Sequence, residues 1–141
     1  MTAPHVVYVT YIRTTPRKLW DALTRGDFMG KYWHARIRST WKPGAPVETF
    51  TPEGKPDWVG KVLVFDPPRV LSYTFQILGF LKRSSRVVFE IEPAGAAVKL
   101  TLSHYGVEAP RRKGIAGGWP VFFSSLKSFL ETGRGMNVSE L

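Results

Sequence analysis

With no cysteine in 141 residues, the chain has no disulfide, no thiolate nucleophile and no sulfur-ligated metal, and its length suffices for one domain whose core needs no such staple. Its 20 Lys and Arg against 11 Asp and Glu give a formal charge of +9, which attracts acidic partners or surfaces in general without choosing among them. The first apolar run, Val6 to Ile12, lacks a basic leader and is interrupted by Tyr8 and Thr10, and no later run approaches a membrane span, so a cytoplasmic protein is expected.

In chain order, His5 to Arg13 is rich in Val, Tyr, Ile and Thr and reads as a first strand. Thr15 and Pro16 then suit the cap and first position of a short helix carrying Leu19, Trp20 and Leu23, with Lys18 where a capping box would want an acid. Asp27 to Trp33 is read as a second short helix. From residue 35 to about 104 the punctuation is that of hairpins: Lys42-Pro43-Gly44, Pro52 to Pro56, Asp66-Pro67-Pro68-Arg69 and Pro93-Ala94-Gly95 separate runs of strand-forming residues. With the first strand these make about seven, and few are separated by enough residues for a parallel crossover.

Side-chain parity orients the last three strands. Leu71, Tyr73 and Phe75; Val87, Phe89 and Ile91; and Val98, Leu100 and Leu102 each form one apolar face, and His104 falls on that same face. Val6 to Ile12 and Val59 to Phe65 are apolar on both parities, which fits either a homodimer surface or curvature that buries both sides. Gly60, within a strand, is a candidate bend.

The last stretch, Gly117 to Gly133, places Trp119, Phe122, Phe123, Leu126, Phe129 and Leu130 at spacings of three and four, one stripe of a helix. Pro120 suits its first turn and Gly133 its C-terminal exit; Arg134 to Leu141 reads as a flexible tail. The order strand, two short helices, six strands, long helix implies an α+β domain over residues 1–141, a curved antiparallel sheet wrapped around the terminal helix.

The succession Tyr8-Val9-Thr10-Tyr11-Ile12, Thr14-Thr15-Pro16, Trp20, Ala22-Leu23-Thr24, Tyr32-Trp33, Asp66-Pro67-Pro68, Leu71-Ser72-Tyr73, His104-Tyr105-Gly106, Gly118-Trp119-Pro120, Ser124 to Lys127 and Leu130 to Gly133 resembles the activator of heat-shock protein 90 ATPase homologue family of the START-like SRPBCC superfamily. The resemblance implies a helix-grip fold with a cavity between sheet and C-terminal helix. It implies little about activity, because one such scaffold hosts carriers, hormone-binding proteins, cyclases and oxygenase domains.

Set on that fold, Trp33, Tyr73, Phe75, Phe89, His104, Trp119, Phe122, Phe123 and Leu126 are the residues expected to meet a ligand, with Trp58 at the cavity mouth or capping the core. The same aromatics would equally fill a solid interior, and the sequence leaves both open. His104 is either a ligand-orienting or acid–base group or a structural histidine. His5, His34 and His104 lack metal-ligand spacing, and no phosphate loop, paired carboxylates or nucleophile elbow is present, so neither metal nor cofactor is expected. The leading expectation is a non-enzymatic domain for a small, mainly hydrophobic molecule. The alternatives are a chaperone-associated or stress-response module using its basic surface on an acidic protein, and a cyclase- or hydrolase-type enzyme with His104 in the pocket. The basic runs Lys82 to Arg86 and Arg111 to Lys113 accompany no groove-reading motif, so nucleic acid is not the expected partner.

Overall fold

A computed structural model of the chain describes residues 2–138. The seven strands are β1 (Val6–Ile12), β2 (Arg36–Arg38), β3 (Pro46–Phe50), β4 (Pro56–Asp66), β5 (Val70–Ile77), β6 (Ser85–Ala94) and β7 (Ala97–Tyr105). They form one antiparallel sheet in the order β1-β7-β6-β5-β4-β3-β2, in which the first strand closes against the last. The helices are α1 (Pro16–Thr24), α2 (Gly26–Met29) and α3 (Arg112–Thr132), and a 3₁₀ turn over Ala109–Arg111 leads into α3. This is the helix-grip arrangement that the element order implies.

The expected parities hold. Leu71, Tyr73, Phe75, Val87, Phe89, Ile91, Val98, Leu100, Leu102 and His104 are all buried beneath α3 and α1, while Arg86, Glu90 and Glu92 face water. Curvature is concentrated in β3 and β4, where the pairing register shifts between Glu48 and Phe50 and again between Val62 and Val64. Gly60 is the bend: a Cβ there would lie 1.7 Å from the Thr74 carbonyl oxygen, so only glycine lets β4 approach β5 so closely. Val7, Val9 and Tyr11 on β1, and Leu63, Val64 and Phe65 on β4, remain exposed, Phe65 while also meeting Trp20 and Trp41.

Thr15 caps α1 as expected, its Oγ1 accepting from the Lys18 N–H at 3.2 Å with Pro16 in the first turn. The second short helix is only four residues long, and Lys31 to Trp33 follow it as turns. The long helix differs more. It begins at Arg112, and Pro120 lies in its interior instead of its first turn. Gly114, Gly117 and Gly118 argue against helix locally, but burial of Ile115 and Trp119 on the same face as Phe122 and Leu126 outweighs that preference. Gly133 ends α3 in the left-handed conformation, φ 86°, with its N–H on the Phe129 carbonyl.

Past that exit the chain does not leave the surface at once. Ser128 donates to the Arg134 carbonyl at 2.7 Å and Ser125 Oγ accepts from the Met136 N–H at 2.9 Å while donating to the Tyr32 carbonyl at 2.6 Å. Residues 134–136, read from sequence as the start of a free tail, therefore fasten α3 to the turn after α2; residues 139–141 lie outside the described chain.

Candidate functional site

Side chains from three elements and two loops, most of them aromatic or aliphatic, line a cavity of about 250 Å³ between the β4–β5 half of the sheet and the first half of α3. β4 supplies Asp57 and Trp58; β5 supplies Tyr73, Phe75 and Ile77; and α3 supplies Gly114, Ile115, Gly118, Trp119 and Phe122. Trp33 and His34 come from the turn before β2, and Phe80 from the β5–β6 loop.

The walls are built by ring contacts. Trp58 stacks on Tyr73, centroids 5.3 Å apart, and meets Phe75 at 5.0 Å; Trp33 sits edge-on to Phe122 at 5.0 Å, and Trp119 edge-on to Phe122 at 5.5 Å. Trp58 is held from behind by Thr49, whose buried hydroxyl both accepts from the Trp58 N–H and donates to its carbonyl, each at 2.8 Å. That double clasp falls at the irregularity in β3. At the rim, His34 Nε2 and Asp57 Oδ2 are 3.2 Å apart. Phe80 rests against Gly114, and the Arg111 guanidinium lies over the outer side of the Phe80 ring, 4.6 Å from its centroid.

Five of the nine residues read from sequence as ligand contacts line this cavity: Trp33, Tyr73, Phe75, Trp119 and Phe122. Phe89, Phe123, Leu126 and His104 do not; they are core behind it. Phe123 stacks on Tyr8 of β1 at 5.0 Å, on the other side of α3, and Phe89 meets Trp119 and Phe123 edge-on. Trp58 belongs to the wall. Sequence reasoning missed His34, Asp57, Ile77, Phe80, Gly114, Ile115 and Gly118, of which only Ile115 carried a signal, its helical spacing to Trp119 and Phe122.

His104 is fully buried and both ring nitrogens are engaged. The Trp119 indole N–H donates to Nδ1 at 3.0 Å, so the proton resides on Nε2, which donates to Ser85 Oγ at 2.7 Å; Ser85 in turn donates to the Phe75 carbonyl at 2.8 Å. Burial, with the nearby His5 adding to it, pushes the imidazole down to about 4. A neutral ring with no free nitrogen has nothing to offer a reactant near pH 7, so the reading of His104 as ligand anchor or acid–base group gives way to the structural one. Its position still matters to the cavity: the relay ties the Trp119 and Phe75 walls across α3, β7, β6 and β5.

Tyr73 is buried and its phenol is pushed well above its ordinary range by that burial. Among the described residues no group of three or more His, Asp or Glu side chains is placed to hold a metal ion, and no helix is long and apolar enough to cross a membrane.

Comparisons with known structures support the fold. The solution structure of the Aha1 dimer from Colwellia psychrerythraea superposes with a TM-score of 0.76 at 22% identity, over 92% of this chain and 98% of that one. DynU16, a protein of the dynemicin biosynthetic locus, gives 0.79 at 20% over 92% of this chain and 48% of its own. CalU16 from Micromonospora echinospora gives 0.74 at 17% over 90% and 76%. No curated protein matches the sequence. The family model described as Activator of Hsp90 ATPase homolog 1-like protein matches residues 13–131, nearly the whole fold from the end of β1 to the end of α3, and the chain belongs to that family.

Proposed function

We propose that this domain binds a small, mainly apolar molecule in the cavity between β4, β5 and α3. The observation that supports it is the cavity itself: about 250 Å³ walled by three Trp, two Phe and a Tyr of the interior, with a further Phe, Phe80, at its mouth. Side chains of that size normally close on one another at crystal-like density; here they surround space. Burying a hydrocarbon against them contributes about 25 cal/mol per Å² of apolar surface removed from water, and the small volume selects molecules of one or two rings.

Titration with naphthalene, followed by ¹⁵N–¹H NMR, tests the proposal. The indole resonances of Trp33, Trp58 and Trp119 and the amides of Ile77 and Ile115 are expected to shift together along one saturable curve. Saturating naphthalene that leaves those five unmoved overturns it.

A second reading concerns self-association. Val7, Val9 and Tyr11 alternate along the outward face of the edge strand β1 with exposures of 56%, 46% and 52%. An unpaired edge with an apolar face is suited to a second copy of the same strand, and the Colwellia structure is described as a dimer.

A further inference from the structure

The polar groups of the cavity are few and one-sided. Tyr73 is 3% exposed and lines the cavity, yet its hydroxyl has no hydrogen-bond partner among the described residues. The neighbouring buried donors are all engaged: the Tyr32 hydroxyl with the Ala22 carbonyl at 2.8 Å, the Trp119 indole with His104, and Ser72 with the Val87 carbonyl at 2.8 Å. Among the described residues Thr14 Oγ1 is the one side-chain oxygen or nitrogen both sealed away and unpartnered. The Tyr73 oxygen is therefore not sealed, and the open space that Tyr73 lines is the cavity.

The indole N–H groups of Trp33 and Trp58 likewise have no partner among the described residues. Against these three donors the lining carries one carboxylate, Asp57, at the rim and facing His34. No Lys or Arg side chain lines the cavity; Arg111 stays outside, over Phe80. An anion drawn inside would lose its hydration with no cation in exchange. A molecule with an N–H or O–H at its inner end finds few side-chain acceptors among the lining residues, whereas an acceptor meets lining residues that carry three unpartnered donors.

Deepening the proposed function, on which this rests, we infer that the occupant is a flat aromatic molecule with a neutral hydrogen-bond acceptor, a carbonyl or ether oxygen, at its inner end, and that Tyr73 reads that oxygen by donating its O–H. Trp58, lying 10° from parallel with Tyr73, supplies a flat wall beside the donor. Since burial keeps the phenol protonated, the donor persists across the working pH range.

The test compares 2-acetylnaphthalene with 2-isopropenylnaphthalene, in which a methylene replaces the carbonyl oxygen at nearly the same shape, on the full chain and on Tyr73→Phe. Transfer out of water favours the alkene, so the readout is the change in the ketone-to-alkene affinity ratio between the two proteins. That ratio is expected to fall roughly threefold to tenfold in Tyr73→Phe, the weight of one neutral hydrogen bond. Because the hydroxyl has no protein partner, the variant is expected to fold as the parent does. In the parent, NMR supplies a second readout: the Trp33 or Trp58 indole proton moves downfield with the ketone and not with the alkene. An unchanged ratio, with both compounds bound, overturns the inference and leaves the apolar-binding proposal standing. Identical indole shifts with both compounds also count against it. Failure of both compounds to bind the parent removes the proposed function, and the inference with it.

Discussion

Lowering the pH from 7 to 5 is expected to cost this domain about 2 kcal/mol of folding stability through His104 alone. The group's ordinary value is 6.5 and in the fold it is pushed down to about 4. Between those two values the unfolded chain binds the proton and the folded one does not, so stability rises with pH across the window and is lost as pH falls from 6.5 toward 4. At about 1.4 kcal/mol per pH unit, pH 5 lies about 1.5 units into that window, which gives the 2 kcal/mol. The structural cause is specific: a second ring proton would have to sit on Nδ1, where the Trp119 indole N–H already points. Glu131, Asp27 and Glu53 are also held below their ordinary values, by the Arg13 backbone N–H, by the Arg25 side chain and by Glu53's own backbone N–H respectively. These groups are exposed, and their contribution is lost only as pH falls through the carboxylate range, below the pH 5 of the comparison. Urea unfolding followed by tryptophan fluorescence at pH 7 and pH 5 measures the difference. His104→Gln is expected to be less stable at pH 7 but to lose most of the pH dependence. If that variant does not fold, the ¹⁵N shifts of His104 in the parent decide: they should report a neutral ring with the proton on Nε2 at pH 5. A protonated ring at pH 5, or equal parent stability at the two pH values, refutes the argument.

Gly60→Ala is expected to destabilise by at least about 3 kcal/mol, the upper end of overpacking costs, because the atom it meets is the Thr74 backbone carbonyl and not a side chain that can turn aside. A urea midpoint within experimental error of the parent's would show that β4 and β5 do not approach as described. Val9→Lys places a charge on the exposed edge of β1 and is expected to leave monomer stability within about 0.5 kcal/mol while abolishing self-association measured by light scattering. A parent that is monomeric at its highest soluble concentration ends the dimer reading.

The architecture was legible in the sequence because it rests on periodicity, and periodicity is a property of the chain alone. Alternation in β5, β6 and β7 gave the buried face, Pro and Gly gave the corners, and Thr15 gave the α1 cap. Where α3 begins was hidden, because Gly114, Gly117, Gly118 and Pro120 all oppose helix locally and are overruled by burial of Ile115 and Trp119. The cavity was legible only in part, for a different reason. Consecutive helix positions turn about 100°, so a stripe as broad as Trp119 to Leu126 covers two neighbouring territories at once. α3 lies toward the β1 side, where Phe123 meets Tyr8, which turns Phe123 and Leu126 into core and leaves Trp119 and Phe122 to line the cavity with β4 and β5. The same offset separates Tyr73 and Phe75 from Phe89, one strand further toward β1. No local pattern encodes where a helix crosses a sheet. What fixes it here is a set of contacts between distant residues: the Trp119–His104–Ser85 relay on one side of the chain's interior, and Ser125 bound to the Tyr32 carbonyl and the Met136 N–H near the other end of α3. Both serines are buried. In this domain the polar residues that hold the helix to one half of the sheet are what leave the other half open.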